Sequence, residues 1–102
     1  MEYRCTSVGE TIEVFLTGHL VVDENKEFQN INSDIDGQDG LSIVLDLTGV
    51  DFIDSAGLGF LLEIKATAET KGREVSMRVP EGGQVATMIE VAHFGGVIPV
   101  IQ

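Results

Sequence analysis

Few residues of this chain combine the type and spacing that chemistry needs, and most of those fall between Asp51 and Phe60, in the run DFIDSAGLGF. Ser55 stands there between an aspartate and an Ala-Gly-Leu-Gly run, where an apolar strand gives way to a helix. Asp54 and Ser55 are both capping types, whose side-chain oxygens accept hydrogen bonds from the first free amides of a helix. Capping does not call for Gly57 and Gly59, each of which costs about 1 kcal/mol relative to alanine inside a helix. Glycines in a first turn leave backbone amides uncovered and let something approach closely: a packed strand, an anion or the surface of a partner protein. Seating of the helix on a sheet would also account for them.

Familiar catalytic patterns fit these residues badly. The stretch GLGFLL lacks the third glycine of a dinucleotide fingerprint, and the chain has no Gly-Lys-Ser/Thr to cradle a phosphate. A nucleophile elbow requires Gly-x-Ser-x-Gly, and Ile53 occupies the place of its first glycine. His19 is expected on the same edge as Ser55, which leaves a Ser-His pair as a remote alternative, while His93 belongs to another helix. Cys5, His19 and His93 have no ligand spacing, and the acidic turn DIDGQDG (34–40) does not match a calcium loop, which would need a glutamate at its twelfth position. No metal or cofactor is implied, and the chain is not expected to be an enzyme.

Composition narrows the partners. A length of 102 residues suits one domain, 1–102, and 43% hydrophobic residues suffice for a compact core. Lys and Arg number 6 against 17 Asp and Glu, and the formal charge of −11 repels phosphate backbones and anionic membrane surfaces. Nucleic acid is not an expected partner. The single cysteine, Cys5, forms no internal disulfide, and the first residues begin neither a signal peptide nor a transit sequence, so a cytoplasmic location is expected. No apolar run approaches the roughly 18 residues of a spanning helix, so membrane insertion is not expected.

The elements that must hold Ser55 in place are short and well punctuated. YRCTSV (3–8) and TIEVFLT (11–17) are strand-like, and Gly9-Glu10 between them suits a two-residue hairpin turn. DENKEFQNINSDI (23–35) carries Phe28, Ile31 and Ile35 at helical spacing behind a cap at Asp23. LSIVLDL (41–47) is a near-continuous apolar run, the mark of a central strand covered on both faces. A helix is predicted from Ala56 to Lys71, with Leu58, Leu61, Leu62 and Ala66 on its apolar face and Gly72 as a left-handed cap. EVSMRV (74–79) reads as a strand, Val85, Met88, Ile89 and Ala92 mark another helix, and VIPVI (97–101) reads as a last, edge strand. Helix-linked strands are normally parallel with right-handed crossovers. The predicted fold is therefore α/β: a mixed sheet with a parallel core and an antiparallel N-terminal hairpin edge, helices packed on it. Sites in such sheets lie beyond the carboxyl ends of the parallel strands, where Ser55 and GHLVVD (18–23) both fall.

The stretch IVLDLTGVDFIDSAGLGFLLEIKATAETKGREVSMRV (43–79) strongly resembles the core of STAS domains, in particular the anti-sigma-factor antagonists. The resemblance runs through the whole chain, with the N-terminal hairpin, LTGHL before the first helix, and VATMIEVAHFGGVIPV as the last helix and strand. It implies a bacterial cytosolic switch. Unphosphorylated, such a domain binds an anti-sigma factor with serine kinase activity and so frees a sigma factor; the kinase phosphorylates the serine after the aspartate, and a metal-dependent serine phosphatase reverses this. The serine in question matches Ser55, and the docking surface implied comprises Gly18, His19, Leu20, Val21, Asp23, Asp54, Ser55, Ala56, Gly57 and Leu58.

The chain departs from the family's pattern in three places. Val21 stands where many relatives carry an acidic or hydroxyl residue, with Asp23 two positions on, and Glu63 to Lys65 replace an arginine about one turn past the motif. The sequence ends at Gln102, where relatives often add a helix, and the bare edge expected there favours a homodimer or a larger assembly. The family also implies an alternative function, that of a STAS scaffold or accessory subunit of a signalling assembly or transporter, not regulated through Ser55.

Overall fold

The structure, a computed structural model, describes residues 2–21 and 25–101. Strands β1 (Glu2–Val8) and β2 (Thr11–Leu20) form the expected antiparallel hairpin, with Gly9 at φ 62° in a turn closed by the Val8–Thr11 pair. Helix α1 (Asn25–Asp36) leads to β3 (Ser42–Ile53), α2 (Ser55–Thr70) to β4 (Glu74–Arg78), and α3 (Gly83–Val91) to a 3-10 turn at Phe94–Gly96. The predicted cap of the first helix, Asp23, lies outside the described residues.

The sheet order is β1-β2-β3-β4, antiparallel at the first pair and parallel at the other two. This is the predicted mixed sheet. Because the strands follow one another in a single direction, right-handed crossovers place all three helices on one face. Ile12, Ile43 and Val75 lie in one row across that face and Val14, Leu45 and Met77 in the next, in one core with Ile31, Leu61 and Ile89 of the helices.

The central strand is covered on both faces, as expected, but only one of the two covers is made of helices. Residues 43–47 are all buried, but Val44 lies outside the core cluster. On its face a row runs Arg4, Phe15, Asp46, Arg78 across the four strands, polar except for Phe15. Arg4 stacks 5.0 Å over the Phe15 ring, and Arg78 Nη1 lies 3.0 Å from Glu13 Oε1 and 3.8 Å from Asp46 Oδ2. Long side chains and not helices shield this face, the device by which charged residues cover apolar surface.

Other boundaries shifted as well. The last strand, predicted at 97–101, reduces to one parallel bridge between Val100 and Met77. Phe94 and Ile98 are both buried, and the bonds that Val97 N and Ile98 N donate to Phe94 O curl the chain into a turn, leaving little length for a ladder. The apolar face of α2 is rotated from the one predicted: Phe60, Leu61, Ile64 and Ala68 are buried, whereas Leu62 and Ala66 are exposed. The predicted Gly72 cap is present, at φ 71°. Arg73 beyond it donates to the carbonyls of Ile35, Gln38 and Gly40, tying the end of α1 to the start of β4.

Cys5, half-buried on β1, has its thiol pKa raised by burial first and by the Asp34 charge second. The fold therefore holds the thiol proton more tightly than the unfolded chain does. Its contribution to stability is complete below the unfolded value of about 8.5 and is lost as pH rises through the folded value. Alkylation of native protein by iodoacetamide is expected to remain slower than that of urea-unfolded protein across pH 7–9, since the thiolate is the nucleophile. Equal rates in the two states would contradict the shift.

Candidate functional site

The pairing of β2 with β3 runs past the predicted ends of both strands to Leu20–Ile53, with irregularities at Phe15/Thr17 and Gly18/His19. Gly18, His19 and Leu20 thus belong to a strand and not to a loop. Beyond the last pair, Asp54 N donates to Leu20 O at 3.3 Å, and the extended Asp54 (φ −109°, ψ −177°) turns the chain into α2.

Asp54 alone performs the capping for which two residues were candidates. Its Oδ1 accepts from Gly57 N at 2.8 Å and its backbone carbonyl from Leu58 N at 3.1 Å. Ser55 is left at the first helical position, exposed, and its hydroxyl makes no hydrogen bond among the described residues. Amides in the first turn of a helix concentrate its positive end, so an anion attached at this hydroxyl would meet a favourable field.

Gly57 answers a different need from exposure. A Cβ built there would lie 2.4 Å from Leu20 O and 2.8 Å from Ile53 Cγ1, so of the three candidate neighbours it is the packed strand that comes close. The uncovered amide expected at Gly57 is instead taken by Asp54. Gly59 has nothing within 4 Å of its built Cβ and plays no such part.

The residues expected to form a docking surface divide by burial. His19 and Ser55 are exposed, Gly18, Val21, Asp54 and Ala56 are half-buried, and Leu20, Gly57 and Leu58 are buried and shape the surface only from beneath. Asp23 lies outside the described residues. His19 does not pair with Ser55: its Nε2 lies 3.2 Å from Asp51 Oδ1, and its ring meets Phe52 edge-on at 5.9 Å. Ser55 therefore has no base poised on it among the described residues.

Three residues outside the expected docking surface join it in the structure. Asp51 and Phe52 lie beyond the predicted end of the central strand, yet they partner His19 on the surface, and Phe52 remains 40% exposed. Gln84, in the first turn of α3, accepts from Ile53 N at 2.9 Å and donates to Ile53 O at 2.7 Å. No local pattern marks Gln84, because the contact spans 31 residues.

Five described cations are engaged elsewhere: Arg4 over Phe15, Lys65 with Glu69, Lys71 with Asp36, Arg73 on carbonyls and Arg78 with Glu13. No metal-binding group of three or more His, Cys, Asp or Glu occurs among the described residues. Nor is any described helix long and apolar enough to cross a membrane.

A small mixed sheet that carries its helices on one face and starts a helix with Asp-Ser at the end of its central strand is the architecture of a STAS domain. The family model described as Mlab, STAS domain matches residues 4–101, and the chain belongs to that family. Among solved structures it is similar to the anti-sigma factor antagonist SpoIIAA in its unphosphorylated form, with a TM-score of 0.72 and 21% identity over 99% of this chain and 88% of that one. A putative anti-sigma factor antagonist from Thermotoga maritima superposes at a TM-score of 0.80, 17% identical over 98% of this chain and 86% of its own. A sulfate transporter family protein from Wolinella succinogenes gives 0.74 at 14% identity, over 93% of this chain and 79% of its own. At these identities the likeness is one of fold. No curated protein matches the sequence.

Proposed function

We propose that this domain is an anti-sigma factor antagonist, a cytoplasmic protein-binding module switched by phosphorylation of Ser55. Unphosphorylated, it binds an anti-sigma factor with serine kinase activity and so releases a sigma factor; the kinase then phosphorylates Ser55, and a metal-dependent serine phosphatase restores the binding form. The observation that carries this reading is the division of labour at the start of α2, where Asp54 takes over the capping and leaves the Ser55 hydroxyl exposed and unbonded among the described residues. A phosphate there adds about −1.5 to −2 charge beside Asp54, on a face that a partner must desolvate. The helix's positive end renders the same phosphate tolerable in the free domain. The likeness in fold to SpoIIAA, also solved in its phosphorylated form from Bacillus, supports this reading.

The likeness to the sulfate transporter family protein favours a second reading, an accessory subunit indifferent to the state of Ser55. Capture from a lysate of the source organism by wild type, Ser55→Ala and Ser55→Asp separates the two, with mass spectrometry identifying the partners and any phosphate on Ser55. A serine kinase held by the first two and lost by the third is the expected result. Capture of one set of transporter or scaffold proteins by all three, with no phosphate on Ser55, would overturn the switch.

A further inference from the structure

We infer that Gln84 is the positioning residue of the Ser55 face, its side chain fixing the peptide from which α2 departs. β3 pairs with β4 only from Ser42 to Asp46. Among the described residues, the β4-facing edge of β3 beyond that point has no strand beside it, although β3 continues to Ile53. At Ile53 a side chain substitutes for the missing strand: Gln84 Oε1 accepts from the Ile53 N–H at 2.9 Å, and Nε2 donates to the Ile53 carbonyl at 2.7 Å. A carboxamide suits this because it holds one acceptor and a donor pair in one plane, as a peptide group does.

One residue further on, Asp54 N donates to Leu20 O on the opposite side. The chain ahead of Ser55 is thus gripped from both edges, by the backbone of β2 and by the Gln84 side chain. The Asp54 cap depends on that grip, since its Oδ1 reaches Gly57 N only while Asp54 keeps its extended backbone. The two residues ahead of Gln84 have no side chain that could take its place. They are Gly82, which supplies no side-chain cap, and Gly83, at φ 92°. The consequence for docking rests on the reading of Ser55 as the phosphoacceptor; the consequence for geometry does not.

The test uses the full chain labelled with 15N, as wild type, Gln84→Ala and Gln84→Glu. In Gln84→Ala the Ile53 amide is expected to exchange with solvent roughly tenfold faster, beyond any change at Ile31, with the Asp54 to Gly57 resonances shifted and those of Ile31 and Ile35 unmoved. Gln84→Glu keeps the shape and the acceptor, so it decides the matter if the alanine variant does not fold. Its carboxyl donates to Ile53 O only when protonated, and is therefore expected to titrate above the ordinary glutamate value of about 4.3, carrying the Ile53 and Ser55 amides with it. Unchanged exchange at Ile53, or shifts spread evenly over the molecule, would overturn the inference. Where capture depends on Ser55, Gln84→Ala is expected to weaken it about tenfold, and undiminished capture would overturn the docking consequence. Capture indifferent to Ser55 counts against the switch alone, and the resonances still decide the place of Gln84.

Discussion

Gly57→Ala is expected to lower the free energy of unfolding by about 2–3 kcal/mol, while Gly59→Ala, two residues away in the same helix, raises it by about 0.5–1 kcal/mol. The opposite signs follow from what each new methyl meets. At Gly57 it would stand 2.4 Å from a backbone oxygen, Leu20 O, and 2.8 Å from Ile53 Cγ1. A flexible side chain could rotate away from such a clash, but Leu20 O is held in the pairing with β3 and accepts the bond from Asp54 N. Relief therefore requires α2 to lift from the sheet, which loosens the packing of the buried Leu61 and Ile64 beneath it. At Gly59 nothing lies within 4 Å, so alanine meets no obstacle and gains helix propensity. Urea unfolding of both variants with an unchanged slope measures the pair. Small and equal effects would mean that α2 is not seated on the end of β2.

The second large effect concerns binding. Ser55→Asp is expected to weaken the partner complex at least a hundredfold, about 2.7 kcal/mol, whereas Ser55→Ala should stay within about threefold of wild type. The added carboxylate sits on an exposed position flanked by Asp54, with Asp51 on the same edge, and Arg4, Lys65, Lys71, Arg73 and Arg78 are held elsewhere. Burying a charge that the partner does not match costs several kcal/mol, more than the threshold requires. High salt is expected to recover only part of the loss, because it screens repulsion but not desolvation. The variant itself should be as stable as wild type or slightly more so, since a carboxylate in the first turn favours the helix by about 0.3–1 kcal/mol. Weak binding by a well-folded Ser55→Asp separates the switch from unfolding. Calorimetric titration against the captured kinase reads the affinity, and a Ser55→Asp complex as tight as wild type would refute the mechanism.

Much of this molecule is legible locally. The hairpin needs only Gly9 between two strand-like runs, and α2 is announced by Asp54 before its first turn and Gly72 after its last. These signals act over a few residues, through φ angles and the free amides of helix ends, so they survive whatever surrounds them. The apolar face of α2 was less legible. Its sequence is apolar nearly all round, and periodicity does not choose between Leu62 and Ile64; the sheet does, burying Ile64 and leaving Leu62 42% exposed. The last strand failed for a related reason. VIPVI has the composition of a strand, but burial of Phe94 and Ile98 draws the chain into a turn and leaves Val100 a single bridge to Met77.

The site divides along the same line. By itself the sequence determined the order of elements as far as α3, the place of Asp54 and Ser55 at the carboxyl end of the central strand, and the likeness to STAS domains, all of which depend on residues close together in the chain. Only the tertiary structure decided that Asp54 and not Ser55 caps the helix, that Gly57 serves the backbone of Leu20, and that His19 turns to Asp51 and Phe52. It also decided that Gln84 closes the open edge at Ile53. Except for the local choice between Asp54 and Ser55, these contacts join residues about 30 or more apart in sequence. Distances and hydrogen-bond angles between such residues are set by how the layers pack, and no propensity or period along the chain encodes them.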